Sequence, residues 1–192
     1  MYHIKNDKRS KRSAETIYHA LRSLIREKPF EMILVRDIVE RAEIGRSTFY
    51  RNFDEIVDVL RMRCDQVLDE LMVYVTTYHQ KAYSQENGAM LKPILRYFYL
   101  DSEIIELLMQ ANRIDIFQDA FRERSRPNQA QLAQKNQVPI KHIAYVAEIR
   151  INILIAILTQ WIKTGKREAP DELADSLKVI IYDLIPSIVQ LL

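Results

Sequence analysis

"GRSTFYRNF", residues 45–53, follows "VRDIVERAEI", residues 35–44, and these two stretches decide how the chain reads. At 100° per residue, Phe49 and Phe53 fall together on the inner side of a helix that starts at Arg46. Ser47 and Arg51 point the opposite way, and Thr48, Tyr50 and Asn52 flank the outward face. That face carries hydroxyls, a phenol, an amide and guanidinium groups, all able to hydrogen-bond a phosphate or a base edge. In the preceding stretch Val35, Ile38, Val39 and Ala42 form a second short apolar face. "EIG" turns the chain between the two, with Gly45 in the N-cap position. A supporting helix, a tight turn and an outward-facing polar helix make a helix-turn-helix. A small amphipathic helix with a solvated outer face has the same periodicity, so spacing alone leaves both readings open.

The rest of the composition points to an all-α protein. Of 192 residues, 48% are hydrophobic and only three are glycine, while helix-forming side chains dominate. The single cysteine, Cys64, rules out an intramolecular disulfide and a cysteine-cluster metal site, and it suits a reducing cytoplasm. The first residues lack the apolar core of a secretory signal. The longest apolar run, residues 151–162, is too short to span a bilayer and reads as a buried core or interface helix, so no membrane is expected. Charge is uneven: residues 1–53 carry 12 Lys/Arg and 7 Asp/Glu, whereas residues 54–192 carry 16 and 19. A basic N-terminal part on an acidic remainder suits contact with a polyanion, although a solvated surface has the same composition.

Upstream, "KNDKRSKR" reads as a mobile tail leading to a helix that starts near Ser10 or Ser13. Ile17, Ala20, Leu21, Leu24 and Ile25 mark its apolar face, and Pro29 stops it.

The stretch "VRDIVERAEIGRSTFYRNF" resembles the helix-turn-helix of TetR-type transcriptional regulators, with Ile38, Ala42, Ile44, Arg46, Thr48, Phe49, Tyr50 and Phe53 matching the family pattern. "TIYHALRSLIREKPF" is similar to the family's first helix. The resemblance implies a DNA-binding domain at residues 1–53 and a helical regulatory and dimerisation domain at residues 54–192, linked by a long helix from about 54, capped by Asp54, to about 79. It implies that Arg46, Ser47 and Thr48 enter the groove, that Tyr50, Arg51 and Asn52 hold phosphates or reach bases, and that Arg36 touches phosphate or base. Lys8, Arg9, Lys11 and Arg12 would add contacts from the tail. This sequence departs from the pattern at Glu43, where Gly is usual, and at Gly45, where Ser or Thr is usual. Ile56 stands in place of a common phosphate-binding Lys, and Leu34 in place of a capping Thr or Ser.

Beyond residue 79, "SQENG" breaks the chain, two short helices divide near Asp101, and residues 127–139 read as a surface connection. Residues 140–165 form a long helix ending at Gly165, and a last helix opens with Pro170. Both are apolar on more than one face and so need partners. In the family two such helices per subunit form a four-helix homodimer interface, here expected at Ile153, Ile157, Leu177, Ile181 and Leu184. A homodimer also suits a palindromic double-stranded DNA operator. Polar and aromatic groups among apolar ones, Tyr97, Met109, Arg113, Phe117, Tyr145, Glu148, Arg150 and Trp161, are candidates for contact with a small apolar or aromatic effector. The same residues at helical spacing also read as plain core, and Glu148 with Arg150 as an interface ion pair.

The four histidines are dispersed and no phosphate loop is present, so neither an enzyme, a metal nor a cofactor is expected. The expectation is a ligand-responsive, dimeric, cytoplasmic DNA-binding repressor. The alternative is a helical dimeric interaction protein or co-regulator with a degenerate helix-turn-helix.

Overall fold

The computed structural model of the chain describes residues 1–81, 90–128 and 139–189, and within these the side chains of 81, 128, 140 and 181–189 lie outside the description. The break expected at "SQENG" and most of the 127–139 connection also lie outside it. Among the described residues the regular elements are nine α-helices and short 3-10 turns. They are α1 (Lys8–Glu27), α2 (Val35–Arg41), α3 (Arg46–Asn52), α4 (Ile56–Lys81), α5 (Leu91–Leu100), α6 (Glu103–Gln110), α7 (Asp115–Ser125), α8 (Ile143–Lys163) and α9 (Pro170–Val189).

The chain forms two compact units, Met1–Leu68 with Glu103–Asn152, and Asp69–Ser102 with Ile153–Leu192. The first unit runs on into α4 and takes in α6 and α7, and α1 packs on α6 as well as on α2 and α3. Arg22 grips both carboxylate oxygens of Glu103 at 2.9 and 3.0 Å, and Arg26 adds a third bond at 3.2 Å. Ile17, Leu21, Ile38, Phe49, Phe53, Leu60, Leu108 and Phe117 fill the core of this unit. In the second unit α5 packs on α9, and Arg96 pairs with Asp171 while Lys92 pairs with Asp175 at 3.0 Å.

Three helix ends show how local chemistry sets the boundaries. α8 stops in a Schellman motif: the Lys166 N–H donates to the Trp161 carbonyl at 2.9 Å, and the Gly165 N–H donates to the Ile162 carbonyl at 2.9 Å. Gly165 takes φ 80°, which glycine tolerates without strain. α6 ends the same way at Asn112, φ 51°. α2 does too, with the Ile44 N–H on the Val39 carbonyl, but there the left-handed position holds Glu43, φ 53°, where the family usually has Gly.

Two expectations at helix starts need correction. α1 begins at Lys8, before Ser10, because the Asp7 carboxylate accepts the Ser10 N–H at 2.8 Å and caps the helix, leaving no mobile tail there. α4 is not capped by Asp54. Glu55 sits at its N-cap, and buried Asp58 reaches back to the Glu55 N–H at 2.9 Å. Burial pushes the Asp58 carboxyl up, but donors from the Met1 amine, Arg61 and Glu55 hold it below the usual carboxylate range. Cys64 is buried, which pushes its thiol up to about 12.

Candidate nucleic-acid interface

α2 and α3 form the helix-turn-helix on the platform of α1. Phe49 and Phe53 are each 0% exposed, with ring centroids 5.8 Å apart, and they fix which way α3 faces. Ser47 and Arg51 are exposed on the side opposite them, and Arg46 in the first turn and Tyr50 on the flank are exposed as well, Tyr50 to 55%. Arg51 Nη2 donates to the half-buried Thr48 Oγ1 at 3.0 Å, so a guanidinium and a hydroxyl are held side by side on the outer face. Arg36 on α2 is exposed, its Nε 3.7 Å from Asp37 and 3.9 Å from Glu40. Lys8, Arg9, Lys11 and Arg12 are exposed along the first turns of α1. Exposed basic and hydroxyl side chains of α1, α2 and α3 therefore lie within one compact unit. Such side chains supply phosphate attraction through charge and base-edge contact through short polar groups.

Asn52 is not on this face. It is 2% exposed, its Nδ2 donates to the Thr48 carbonyl at 2.7 Å, and its Oδ1 accepts from Ser10 Oγ at 2.9 Å. Both ends of the amide are engaged, so it stitches α3 to α1 and has no free edge for DNA.

α2 lacks a side-chain hydroxyl at its N-cap, Leu34, as its sequence implies. Asp37, three residues on, substitutes by accepting the Leu34 N–H at 3.0 Å, while Lys28 Nζ lies 2.5 Å from the same oxygen. The Lys28 ammonium, with the Leu34 N–H, holds the Asp37 carboxyl below its usual range. A carboxylate at the start of α2 also meets the helix dipole favourably.

The candidate effector contacts divide between the units. Tyr97 is half-buried, with its hydroxyl on Glu70 at 3.2 Å, and Trp161 is buried, with Nε1 on the Glu168 carbonyl at 3.2 Å. In the first unit Phe117 is buried against Phe121 and Met109 is half-buried. Arg113 is paired with Asp115 at 2.8 Å, whereas Tyr145 and Arg150 are exposed. Within the chain Glu148 and Arg150, two residues apart on one helix, face different sides. The partner of Glu148 is Arg122 of α7, at 2.5 and 3.0 Å, which holds the Glu148 carboxyl below its usual range. An open hollow of about 480 Å³ is lined by residues 25–29, Glu31, Gln110 and Asn112 and contains none of the eight.

Of the interface candidates, Ile153 is exposed and Ile157 and Leu177 are half-buried, while the side chains of Ile181 and Leu184 lie outside the described residues. The expectation that the apolar run at 151–162 is too short to span a bilayer needs correction: α8, at 21 residues, is long and apolar enough to cross one by length and composition alone, and 28% of its most apolar window is buried in the single chain. Tyr145, Ile149, Ile153, Val179 and Ile180 leave apolar surface on α8 and α9 open.

Residues 86–183, just over half of the chain, match the family model described as the transcriptional regulator C-terminal region, of TetR type. The chain belongs to the TetR family of transcriptional regulators. This family match lies on the C-terminal helices and is independent of the helix-turn-helix motif. No curated protein sequence matches the regulator. Its fold is shared by Lin0861 from Listeria innocua, at 17% identity and a TM-score of 0.74 over 95% of this chain and 96% of that one. It is also similar to the fatty acid degradation regulator FadR from Bacillus halodurans, at 14% identity and a TM-score of 0.54 over 90% and 93%. A Clostridium perfringens protein assigned to the regulation of fatty acid metabolism aligns at 15% identity and a TM-score of 0.59 over 88% and 98%. Family and fold make this TetR-type protein a DNA-binding transcriptional regulator.

Proposed function

We propose that the protein is a ligand-responsive, cytoplasmic repressor that binds a palindromic operator as a homodimer, with residues 1–53 as its reading head and residues 54–192 as its regulatory and dimerisation part. The observation that carries this reading is the outward row of α3. Arg46, Ser47, Tyr50 and Arg51 are exposed on a helix whose inner side is locked by Phe49 and Phe53. An interaction protein with a degenerate motif has no need of two guanidiniums and a phenol exposed on that helix. Thr48 and Arg36 extend the row, and Lys11 and Arg12 supply phosphate contacts from α1.

The uncovered apolar surface of α8 and α9 supports pairing with a second copy. Effector binding in residues 54–192 would bias the dimer between states with different head spacing, which requires unequal affinity for those states. Tyr97 and Trp161 in the second unit, or Met109 and Phe117 in the first, would supply aromatic and apolar contact area for such a molecule within one unit. Arg113 and Glu148 have partners within the chain already, and Tyr145 and Arg150 face solvent, so these four rank lower.

The purified protein, mixed with fragmented genomic DNA, should retain a small set of fragments sharing a two-fold symmetric sequence. Acyl-chain compounds, chosen after the names of two structural neighbours, and small aromatics should then be screened for release of that DNA. Retention without sequence enrichment would favour the interaction-protein reading.

A further inference from the structure

α3 has seven residues, and a helix that short does not hold itself in place. Its inner face is gripped by Phe49 and Phe53. At its C-terminal end the grip comes from residues 1–5, ahead of α1. The His3 N–H donates to the Asn52 carbonyl at 2.8 Å, and the Asp54 N–H donates to the Met1 carbonyl at 3.0 Å. Tyr2 pairs with Phe53 in an antiparallel bridge. The last carbonyls of a helix have no internal partner, so the His3 N–H closes one that α3 leaves open.

The same segment is tied down a second time. The Tyr2 phenol donates to Asp65 Oδ2 on α4 at 2.9 Å. The other oxygen of Asp65 accepts from Arg124 Nη1 of α7 at 2.9 Å, and Arg124 Nη2 donates to the Asp65 carbonyl at 2.9 Å. All of these residues belong to one compact unit. One carboxylate therefore joins the segment that closes α3 to a helix of the C-terminal region.

We infer that residues 1–5 are a positioning strap for the recognition helix and that Tyr2 is its anchor, fixing the end of α3 to α4 and α7 through Asp65 and Arg124. The inference rests on α3 being the operator-reading helix. Tyr2 acts through the backbone of residues 52–54 and needs no contact with DNA. A phenylalanine at position 2 keeps the bridge to Phe53 and loses Asp65. α3 then stays folded but is held less firmly at one end. Base-edge contacts depend on alignment and suffer, whereas phosphate attraction depends on charge and does not.

The test uses the full chain, as wild type, Tyr2→Phe and Tyr2→Ala, titrated with operator and with scrambled duplex over a range of salt, and with amide exchange at Asp54 followed in the free protein. Tyr2→Phe should lose roughly tenfold in operator affinity. Scrambled-duplex affinity and the salt slope should stay unchanged, exchange at Asp54 should quicken, and Tyr2→Ala should go further in the same direction. Wild-type operator affinity in Tyr2→Phe would overturn the inference. So would equal loss on both duplexes with a shallower salt slope, the mark of a direct phosphate contact. A lowered melting temperature with affinity intact would reduce Tyr2 to a stabilising residue. If the wild type does not discriminate operator from scrambled DNA, the proposed function fails instead. The exchange measurement then decides the strap alone: unchanged exchange at Asp54 removes it.

Discussion

Tyr50 and Asn52 stand on opposite sides of the buried face of α3, each roughly 80° from the bisector of Phe49 and Phe53 at 100° per residue. Periodicity cannot say which of the two is buried. The position of α1 decides it: Ser10 lies on the Asn52 side and takes its amide, while Tyr50 is left in solvent. Arg51, directly opposite the phenylalanines, carries no such ambiguity, which is why its outward position was legible in sequence and that of Asn52 was not. Arg51→Ala and Tyr50→Phe should therefore weaken operator binding by about 1–3 kcal/mol each and leave the helical signal intact. Gel-shift titration with circular dichroism as control measures both, and unchanged affinity in both variants would remove the outward face from the interface. Glu43 gives the opposite kind of prediction. An L-residue at φ 53° is strained where glycine is not, and the departure from the family pattern was visible in sequence although its conformation was not. Glu43→Gly should stabilise the protein by about 1 kcal/mol, a rise of roughly 2–4 °C in melting temperature. A fall in thermal melting would show that the Glu43 side chain contributes more than its backbone costs.

Helix existence and type were readable from apolar spacing, and α2, α3 and the two last helices lie where that spacing put them. Helix starts were not, because they depend on which polar side chain turns back to the chain. Asp7 caps α1 ahead of the serines, Asp58 satisfies α4 from its first turn, and Asp37 does the same for α2 where Leu34 cannot. The Asp37 arrangement makes an acid dependence. Its carboxyl is held below the usual range by Lys28 and the Leu34 N–H, so the folded state binds its proton more weakly than the unfolded chain. The stabilisation is fully present above the ordinary carboxylate pKa of about 4 and is lost as pH falls through the depressed folded value. Asp37→Asn should melt lower than wild type at neutral pH, and the gap should narrow below about pH 4. Thermal melts of both proteins across that range test it, and a constant gap at every pH would mean that the carboxylate charge is not what holds α2.

At the scale of the molecule, uneven charge pointed to a basic head, and the compact unit that holds residues 1–53 extends beyond them. α6, α7 and the first turns of α8 join the head in one unit through residues far apart in sequence, such as Arg22 with Glu103 and Arg124 with Asp65. Long-range ion pairs leave no periodic trace, so a linear reading could not place that extension. The apolar faces of α8 and α9 were legible as surplus hydrophobicity, and in the single chain part of that surplus remains uncovered. Ile153 is 39% exposed and Val179 is 61% exposed, so a charge at either position is wetted in the monomer and does not disrupt its core. In the proposed dimer the same charge would be buried without a partner, which is costly. Ile153→Glu and Val179→Glu should therefore sediment as monomers with an undiminished helical signal, and operator binding should weaken because each half-site is then gripped separately. Wild-type dimerisation in both variants would move the interface away from these two faces, whereas loss of helical signal would show that the residues support the fold of the single chain.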